Sequence, residues 1–414
     1  MTQNRQGSMA YVQQHTATLI VACLLAGASA AAAEDGQASP AQPSGGPQAA
    51  AQATPPPPAT PDVTYGGFVD AGYLRAFNDP VNKLFRSRGT AWHLNDSHLN
   101  MTGAYVKKRA SDRSRWGAEL LVQTGKDDEI FGFSATAPNM SGSDVLRHLG
   151  LANLSYLAPA GKGLAIQGGI FPSLIGYDSL YAKDNFNYTR PWGADFTPYL
   201  MLGVNASYPF TDKLTGTFYI VNGYWHLAEA NSVPSSGAQL AYKLSPAVTV
   251  KETVLAGPHQ SDTSFAFWRF LSDTIVERRT ERAVFAVNGH FSTETVDESV
   301  PFRAWWAALQ VPMRWNLQGP WSIAVRPEIA YDSRGRWTLA EQTVQALTTT
   351  LEYRAPLKQS NLIFRVEHRV DNSTGAQGGF FDDFETSPGV VALTPTQQLL
   401  GFAVIFTFDG TYQR

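Results

Sequence analysis

The chain of 414 residues carries 32 basic and 35 acidic side chains, and its formal net charge of −3 gives no reason to expect a nucleic-acid partner. Charged residues make up 16 % of the chain, below the roughly 25 % typical of soluble domains, whereas aromatic residues reach 12 %. The single cysteine, Cys23, lies in a segment that we expect to be removed, which excludes disulfide and thiol redox chemistry.

The N-terminal segment of the chain predicts export. Residues 1–33 read as a signal peptide, with an apolar core at 17–28 and a small-residue cleavage site at 31–33. A membrane anchor would need about 18 or more apolar residues. Residues 34–62 are rich in Pro, Ala and Gln and favour an extended, solvated linker, which we expect in the periplasm. The folded domain is then 63–414.

Beyond the linker, segments of strand length recur in which apolar and polar side chains alternate. No run of about 18 apolar residues occurs there, so helices do not span a membrane. The predicted strands lie near residues 65–77, 97–108, 114–125, 148–157, 163–172, 199–210, 213–223, 235–245, 247–256, 268–278, 280–291, 302–313, 320–331, 342–353, 359–370 and 396–408. This number, about sixteen (14–18), is typical of single-chain bacterial barrels.

The clearest alternation lies between residues 342 and 372. The runs 347–354 and 362–371 each place apolar side chains on one face and polar or charged side chains on the other. Both strands are about twice the usual length, and Pro356 fits the turn between them. We therefore predict an all-β fold, a transmembrane antiparallel up-and-down β-barrel with lipid outside and water inside.

The connections between the predicted strands alternate between short and long. The long ones are residues 78–96, 126–147, 173–198, 224–234, 257–267, 292–301, 332–341 and 371–395. Outer-membrane barrels have short periplasmic turns and long outer loops, so both termini should lie in the periplasm. Aromatic residues flank most short turns, as an interfacial girdle requires. They are Tyr105, Trp116, Tyr156, Tyr208, Phe210, Tyr242, Trp315, Trp321 and Tyr353.

Short motifs rich in glycine and aromatic residues also recur. They are GGFVDAGY (66–73), QGGIFP (167–172), NFNYTR (185–190), LGV (202–204) and YIVNG (219–223). These motifs resemble those of the β-barrel porins of the OmpL-like family, over residues 63–408. The resemblance implies a bacterial outer-membrane porin and names no solute. The chain departs from such barrels at its end, because residues 409–414 follow Phe408, which we take as the end of the last strand.

In a pore, the diameter and the lining charges select the solute. Candidate lining residues lie opposite the apolar face of their strands. They are Glu119, Gln123, Arg326, Glu328, Glu352, Arg354, Arg365, Glu367 and Arg369. Two interpretations stay open. The charges either form a transverse field that orients solutes or pair with one another in the wall, as Arg365 would with Glu352.

The third long connection, residues 173–198, is more aromatic than an ordinary surface loop. By analogy with porins whose third loop folds inward, we expect it to narrow the lumen. Its charged residues would then face the wall arginines. They are Asp178, Lys183, Asp184, Arg190 and Asp195. A lid on the outer surface or a contact between subunits is the alternative.

Enzymatic and metal sites have weaker signals. Ser97 and His98 are adjacent, and Asp383 follows another aspartate, but a serine nucleophile needs a base and an orienting acid within hydrogen-bond reach. The acidic residues 127–129 offer oxygen ligands for calcium without the EF-hand pattern. The histidines show no metal-ligand spacing, so we expect no metal and no cofactor.

We therefore predict a non-enzymatic porin of the bacterial outer membrane that passes small polar solutes or ions. Its partners would be lipid, the solute and, by analogy with porins, two further copies in a homotrimer. One alternative is an outer-membrane barrel enzyme of the lipase or protease type, acting at the outer rim. Another is a secreted carbohydrate-binding β-protein, which would be recovered without detergent.

Overall fold

The computed structural model describes residues 63–132, 143–227, 230–297, 299 and 302–412. The predicted signal peptide (1–33) and linker (34–62) lie outside this part of the chain and stay predictions. None of the helices in the described ranges is both long enough and apolar enough to cross a bilayer.

Nineteen β-strands make up most of the described residues. They are β1 (Val63–Ala76), β2 (Ser97–Lys108), β3 (Trp116–Thr124), β4 (Leu149–Ala158), β5 (Leu164–Pro172), β6 (Leu200–Pro209), β7 (Leu214–Val221), β8 (Ser235–Lys243), β9 (Val248–Pro258), β10 (Trp268–Arg279), β11 (Ala283–Glu294), β12 (Ala304–Gln310), β13 (Met313–Asn316), β14 (Trp321–Asp332), β15 (Gln342–Leu357), β16 (Ser360–Ser373), β17 (Phe380–Ser387), β18 (Val390–Thr394) and β19 (Thr396–Tyr412). The helices are short and lie in the connections. They are α1 (Ser143–Leu146), α2 (Trp192–Asp195) and three 3₁₀ helices at Lys126–Gly132, Ala182–Asp184 and Phe265–Phe267.

Neighbouring strands pair antiparallel in chain order, and β1 pairs with β19, which closes the sheet into a barrel. Strands β12 and β13 both pair with β11 and β14, so they are two parts of one strand and the barrel has 16 strands. The break falls at Val311 and Pro312, where the proline has no N–H to donate. Strands β17 and β18 form a separate hairpin in the last long connection.

Side chains alternate between a buried inner face and an exposed outer face. In β15 and β16 the outward Leu351 and Val366 are 40 % and 43 % exposed, whereas the inward Thr350 and Arg365 are 0 % and 2 % exposed. The exposed large side chains of the other strands are also mostly apolar, which gives the barrel an apolar outer belt. Soluble proteins rarely expose an apolar surface of this extent, so this exterior disfavours the secreted carbohydrate-binding alternative.

Every predicted strand has a counterpart, but two predicted ends were wrong. Pro356 lies within β15, paired with Asn361, and not in the turn. It is tolerated because β14 ends at the pair between Trp321 and Tyr353, so no strand on that side requires an N–H from residue 356. The last strand runs on to Tyr412, beyond Phe408, since its final residues pair with the start of β1.

Aromatic residues form the expected girdle at the end of the barrel that carries the short turns. Trp116 lies against Tyr156 with ring centroids 4.7 Å apart, and Trp321 lies against Tyr353 at 4.8 Å. Tyr105 is an exception. It packs against an inner apolar cluster and its hydroxyl is hydrogen bonded to Asp409.

The apolar belt can be tested at Val366, which lies in the middle of its strand. We expect Val366→Arg to lower the free energy of unfolding by about 2–4 kcal/mol, because an arginine at this depth faces hydrocarbon. Leu357→Arg, a similarly exposed position beside a turn, should cost only about 0–1 kcal/mol. Urea titration in lipid vesicles measures both, and equal losses would contradict the proposed membrane depth.

Candidate functional site

The predicted lining residues lie on the inner faces of β3, β14, β15 and β16, and their role in permeation stays a prediction. Glu352 is the centre of one ion-pair cluster. It lies 2.7 Å from Arg365, 3.1 Å from Arg314 and 3.3 Å from Arg354. The pair between Arg365 and Glu352 is therefore present as expected.

A second cluster surrounds Arg369. Its guanidinium lies 2.8 Å from Asp371 and 3.1 Å from Glu328, and Arg326 lies 3.5 Å from the same glutamate. Arg326 also contacts the Thr348 hydroxyl at 3.3 Å. Both clusters favour the interpretation that wall charges pair with one another, because the carboxylates face guanidinium groups on their own strand and on strands one or two places away.

The connection 173–198, which we call loop 3, lies inside the barrel and binds this charged wall through its backbone. Glu367 accepts hydrogen bonds from the N–H groups of Tyr188 (2.5 Å) and Thr189 (2.9 Å). Trp192 donates its backbone N–H to Glu328 at 2.5 Å and its indole N–H to Asp371 at 2.8 Å.

The wall arginines complete this attachment. Arg365 donates to the carbonyl oxygens of Ala182 and Asn185, both at 2.7 Å, and Arg369 donates to the carbonyl oxygen of Arg190 at 2.9 Å. Hydrogen bonds with one charged partner are roughly twice as strong as neutral ones. The charged wall therefore fixes the course of the loop backbone.

Loop 3 also contacts the other side of the barrel. The Gly176 N–H donates to Asp273 of β10 at 3.1 Å, and the Tyr177 hydroxyl donates to Glu277 at 2.6 Å. Gln239 of β8 donates to the Leu174 carbonyl at 2.7 Å. On a third side, Tyr181 donates to Gln123 of β3 at 2.8 Å. The loop thus meets the wall at several points around its circumference.

The charged side chains of loop 3 lie elsewhere than expected. Asp178 accepts a hydrogen bond from Gln310 at 2.6 Å, and Lys183 pairs with its neighbour Asp184 at 2.8 Å. Arg190 and Asp195 pair with residues of the outer connections, as described next. Within the described ranges, none of these acidic side chains forms an ion pair with a wall arginine, because the loop carbonyls occupy that position instead.

The first two long connections, which contain Arg88 and Asp127, form ion pairs with loop 3. Asp127 lies 3.5 Å from Arg190, and Arg88 lies 3.0 Å from Asp195, with all four side chains largely buried. The Arg88 guanidinium also stacks over Trp192 at 4.8 Å. These contacts place Asp127 in a buried pair with Arg190.

Sequence reasoning missed a set of uncharged polar residues on the inner faces of β4 to β7. Their amides and hydroxyls are hydrogen bonded to one another across adjacent strands. We call this set the amide track, and it consists of Asn153, Gln167, Asn205, Ser207 and Thr217. In the sequence these residues alternate with outward apolar residues, but they carry no charge and were therefore not among the predicted lining residues.

Among the described residues, the enzymatic candidates are not brought together by hydrogen bonds. His98 lies 3.9 Å from Asp96, and among the described side chains Ser97 makes no hydrogen bond to His98. Asp383 lies on the exposed strand β17. No group of three or more His, Cys, Asp or Glu side chains suited to a metal ion occurs in the described part of the chain.

Asp127 makes the outer attachment sensitive to pH. Burial raises the pKa of its carboxyl from the usual 3.8 to about 7, although Arg190 and the Ala91 N–H lower it. The folded state therefore binds a proton at Asp127 more tightly than the unfolded chain does, and this protonation stabilises the folded state. The stabilisation is complete below about pH 4 and is lost as the pH rises through about 7.

We therefore expect Asp127→Asn to remove part of the pH dependence of the urea unfolding midpoint between pH 4 and pH 7. The wild type should lose stability relative to this variant as the pH rises. Glu129→Gln, which changes a carboxylate that is 39 % exposed, is the control and should keep the wild-type slope. An Asp127→Asn protein with the wild-type slope contradicts the assignment.

Solved outer-membrane proteins share this fold at low sequence identity. The chain is similar to the outer membrane channel DcaP of Acinetobacter baumannii, with a TM-score of 0.52, 11 % identity, and coverage of 84 % of this chain and 97 % of that one. It is also similar to the outer membrane protein OmpT of Vibrio cholerae in its trimer form, with a TM-score of 0.51, 10 % identity, and coverage of 84 % and 99 %.

The anion-selective porin from Comamonas acidovorans is a third such structure, with a TM-score of 0.50, 10 % identity, and coverage of 84 % and 99 %. No curated protein sequence matches the chain. The family described as "putative beta-barrel porin-2, OmpL-like" matches residues 62–408, which is nearly the whole barrel domain. The chain therefore belongs to this OmpL-like family of outer-membrane β-barrel porins.

Proposed function

We propose that this porin lets small polar solutes or ions diffuse passively across the outer membrane, and that loop 3 narrows its lumen. One observation carries the proposal. Loop 3 is hydrogen bonded to β16 through Glu367 and to β10 through Asp273, so it reaches across the barrel interior. A segment that is attached on both sides of the barrel leaves open only the part of the lumen that its own width does not fill.

The attachment is strong enough to hold a fixed constriction. Each hydrogen bond to a charged wall residue contributes about 1.5–3 kcal/mol, and Glu367 accepts two from the loop backbone. The side chains that hold the loop are themselves nearly inaccessible, with Arg369 and Asp371 both 0 % exposed. We infer that these charges position the loop and do not meet the solute directly.

A passive channel accounts for the interior better than an enzyme does. The outer-rim candidates Ser97, His98 and Asp383 lack the hydrogen bonds that nucleophilic catalysis requires, as far as the described residues extend. The lumen instead contains paired charges and a polar wall. A pore selects solutes by its width and by the chemistry of its lining, and such a wall is sufficient for that selection.

We also propose a homotrimer with the N-terminal linker (34–62) in the periplasm. The proposal of a trimer follows the Vibrio cholerae OmpT that was solved in trimer form. Chemical cross-linking in intact outer membranes tests it, because a trimer gives a ladder that ends at three subunits. A ladder that stays at one subunit at every cross-linker concentration contradicts it.

Planar-bilayer recording tests the channel itself. We expect the purified protein to insert in discrete conductance steps, and a variant in which a short glycine linker replaces residues 177–196 to give larger steps. Heat-dependent gel mobility verifies that both proteins are folded barrels. Folded protein that is silent at every voltage would disprove the porin, whereas equal steps in both proteins would disprove only the constriction.

Single substitutions refine this test. In Glu367→Gln the amide N–H₂ replaces one of the two carboxylate oxygens and so opposes the backbone N–H of either Tyr188 or Thr189, so we expect loop 3 to loosen and the open-channel current to fluctuate more. Glu252→Gln is the matched control, because this carboxylate faces outward, bonded to the Ser272 hydroxyl at 2.6 Å. Its current noise should equal that of the wild type.

A further inference from the structure

We propose that loop 3 is a gate, which closes the lumen in this structure and lets solutes through only while it is displaced from part of the wall. This inference rests on the proposed porin function and adds a closed state to it. It follows from the burial of the inner face of the barrel and from the contacts that loop 3 makes around that face.

Every strand of the barrel carries an inward side chain that is almost inaccessible to water. On each of the 16 strands at least one such side chain is at most 7 % exposed, from Phe68 on β1 and Met101 on β2 to Glu367 on β16 and Ala403 on β19. A lumen that was open to water along one side would leave the inward side chains of that side exposed. The buried inner face therefore indicates a closed lumen.

The short side chains of the wall show that loop 3 is what covers it. Thr253 of β9 and Thr350 of β15 are both 0 % exposed, although neither is long enough to shield itself. The Thr253 hydroxyl donates to the Leu174 carbonyl oxygen at 3.1 Å, and the Asn187 amide donates to the Thr350 hydroxyl at 2.7 Å. The loop thus excludes water from two separate parts of the wall.

Loop 3 also packs on the strands that carry the amide track and on their neighbours. Its Leu180 shares an apolar cluster with Leu121 of β3 and Leu151 of β4. Its Ile175 shares another apolar cluster with Met201 of β6. Together with the contacts to β10, β14 and β16 described above, these contacts extend around the circumference, so a solute can cross the barrel only if the loop moves.

The attachment differs between two parts of the wall, and this difference indicates where the loop separates. On β16 the loop backbone binds the charged Arg365, Glu367 and Arg369, and such hydrogen bonds are roughly twice as strong as neutral ones. From β3 to β9 the described contacts are apolar packing and neutral hydrogen bonds, such as that from Tyr181 to Gln123 at 2.8 Å. The opening therefore lies between loop 3 and β3 to β9, and the charged wall is the fixed side.

Apolar side chains on the separating side suit a gate. An apolar constriction excludes water until it widens, and hydrophobic gates of channels close in this way. Leu180 is 1 % exposed in the closed state, and it loses its contacts with β3 and β4 when the loop separates there. Truncating Leu180 removes a contact from the closed state alone, so it shifts the equilibrium towards the open state.

Single-channel recording of the whole protein in planar bilayers tests the gate. We expect wild-type channels to close again after each opening at low voltage, and Leu180→Ala to raise the ratio of open to closed time at least about tenfold. Leu154→Ala is the matched control, because it makes the same change at an outward side chain of β4 that is 62 % exposed, and it should keep the wild-type ratio. A wild type that stays open after insertion overturns the gate, and so does Leu180→Ala with the wild-type ratio.

Thiol labelling tests the cover without relying on current. We expect Thr350→Cys to react with a water-soluble thiol reagent at least about tenfold more slowly in the full chain than in the variant with a glycine linker in place of residues 177–196, because only the open fraction reacts. Ser207→Cys, at an inward position that is partly exposed, should react at the same rate in both proteins. Equal rates for Thr350→Cys in the two proteins overturn the gate.

The recordings also separate the gate from the porin function on which it rests. If the folded wild-type protein is silent at every voltage, the porin function fails and the gate fails with it. If the wild type conducts without closing, only the gate fails.

Discussion

A bilayer interior offers no hydrogen-bond partner to a backbone N–H or C=O group, so a sheet that crosses it must leave no strand edge unpaired. The pairing of β1 with β19, from Val63 opposite Tyr412 to Ala76 opposite Leu399, satisfies this requirement. Once the sheet is closed, it has an inside and an outside. The alternation of side chains then assigns each residue to lipid or to the lumen, which explains why Val366 and Arg365 differ so strongly in exposure.

The same need for backbone partners recurs inside the barrel. Loop 3 contains only short helical segments, so most of its N–H and C=O groups find no partner within it. Glu367, Arg365 and Arg369 supply those partners from the wall. The wall charges are thereby balanced in two ways, by one another and by the loop. A buried charge without such partners would be costly, which is why the charged wall and the loop depend on each other.

This arrangement divides the lumen into two sides. One side, β14 to β16, carries paired charges that hold the loop backbone, whereas the other, β4 to β7, carries amides and hydroxyls bonded to one another and apolar side chains that share a cluster with the loop. Charged and uncharged polar residues look equally suitable as a pore lining when only their direction is known. Their contacts separate them, because the charges bind the loop backbone whereas the amides are bonded to one another.

The sequence by itself determined the barrel, because the two-residue period of a strand and the alternation of short and long connections are local properties. It also indicated the inward direction of Glu352 and Arg365 and their pairing, since facing residues of one hairpin follow from its register. Only the tertiary structure decided that Asp195 pairs with Arg88 and that loop carbonyls, not loop carboxylates, meet the wall arginines. Those contacts join residues about a hundred or more positions apart, and no local pattern encodes how a closed barrel brings them together.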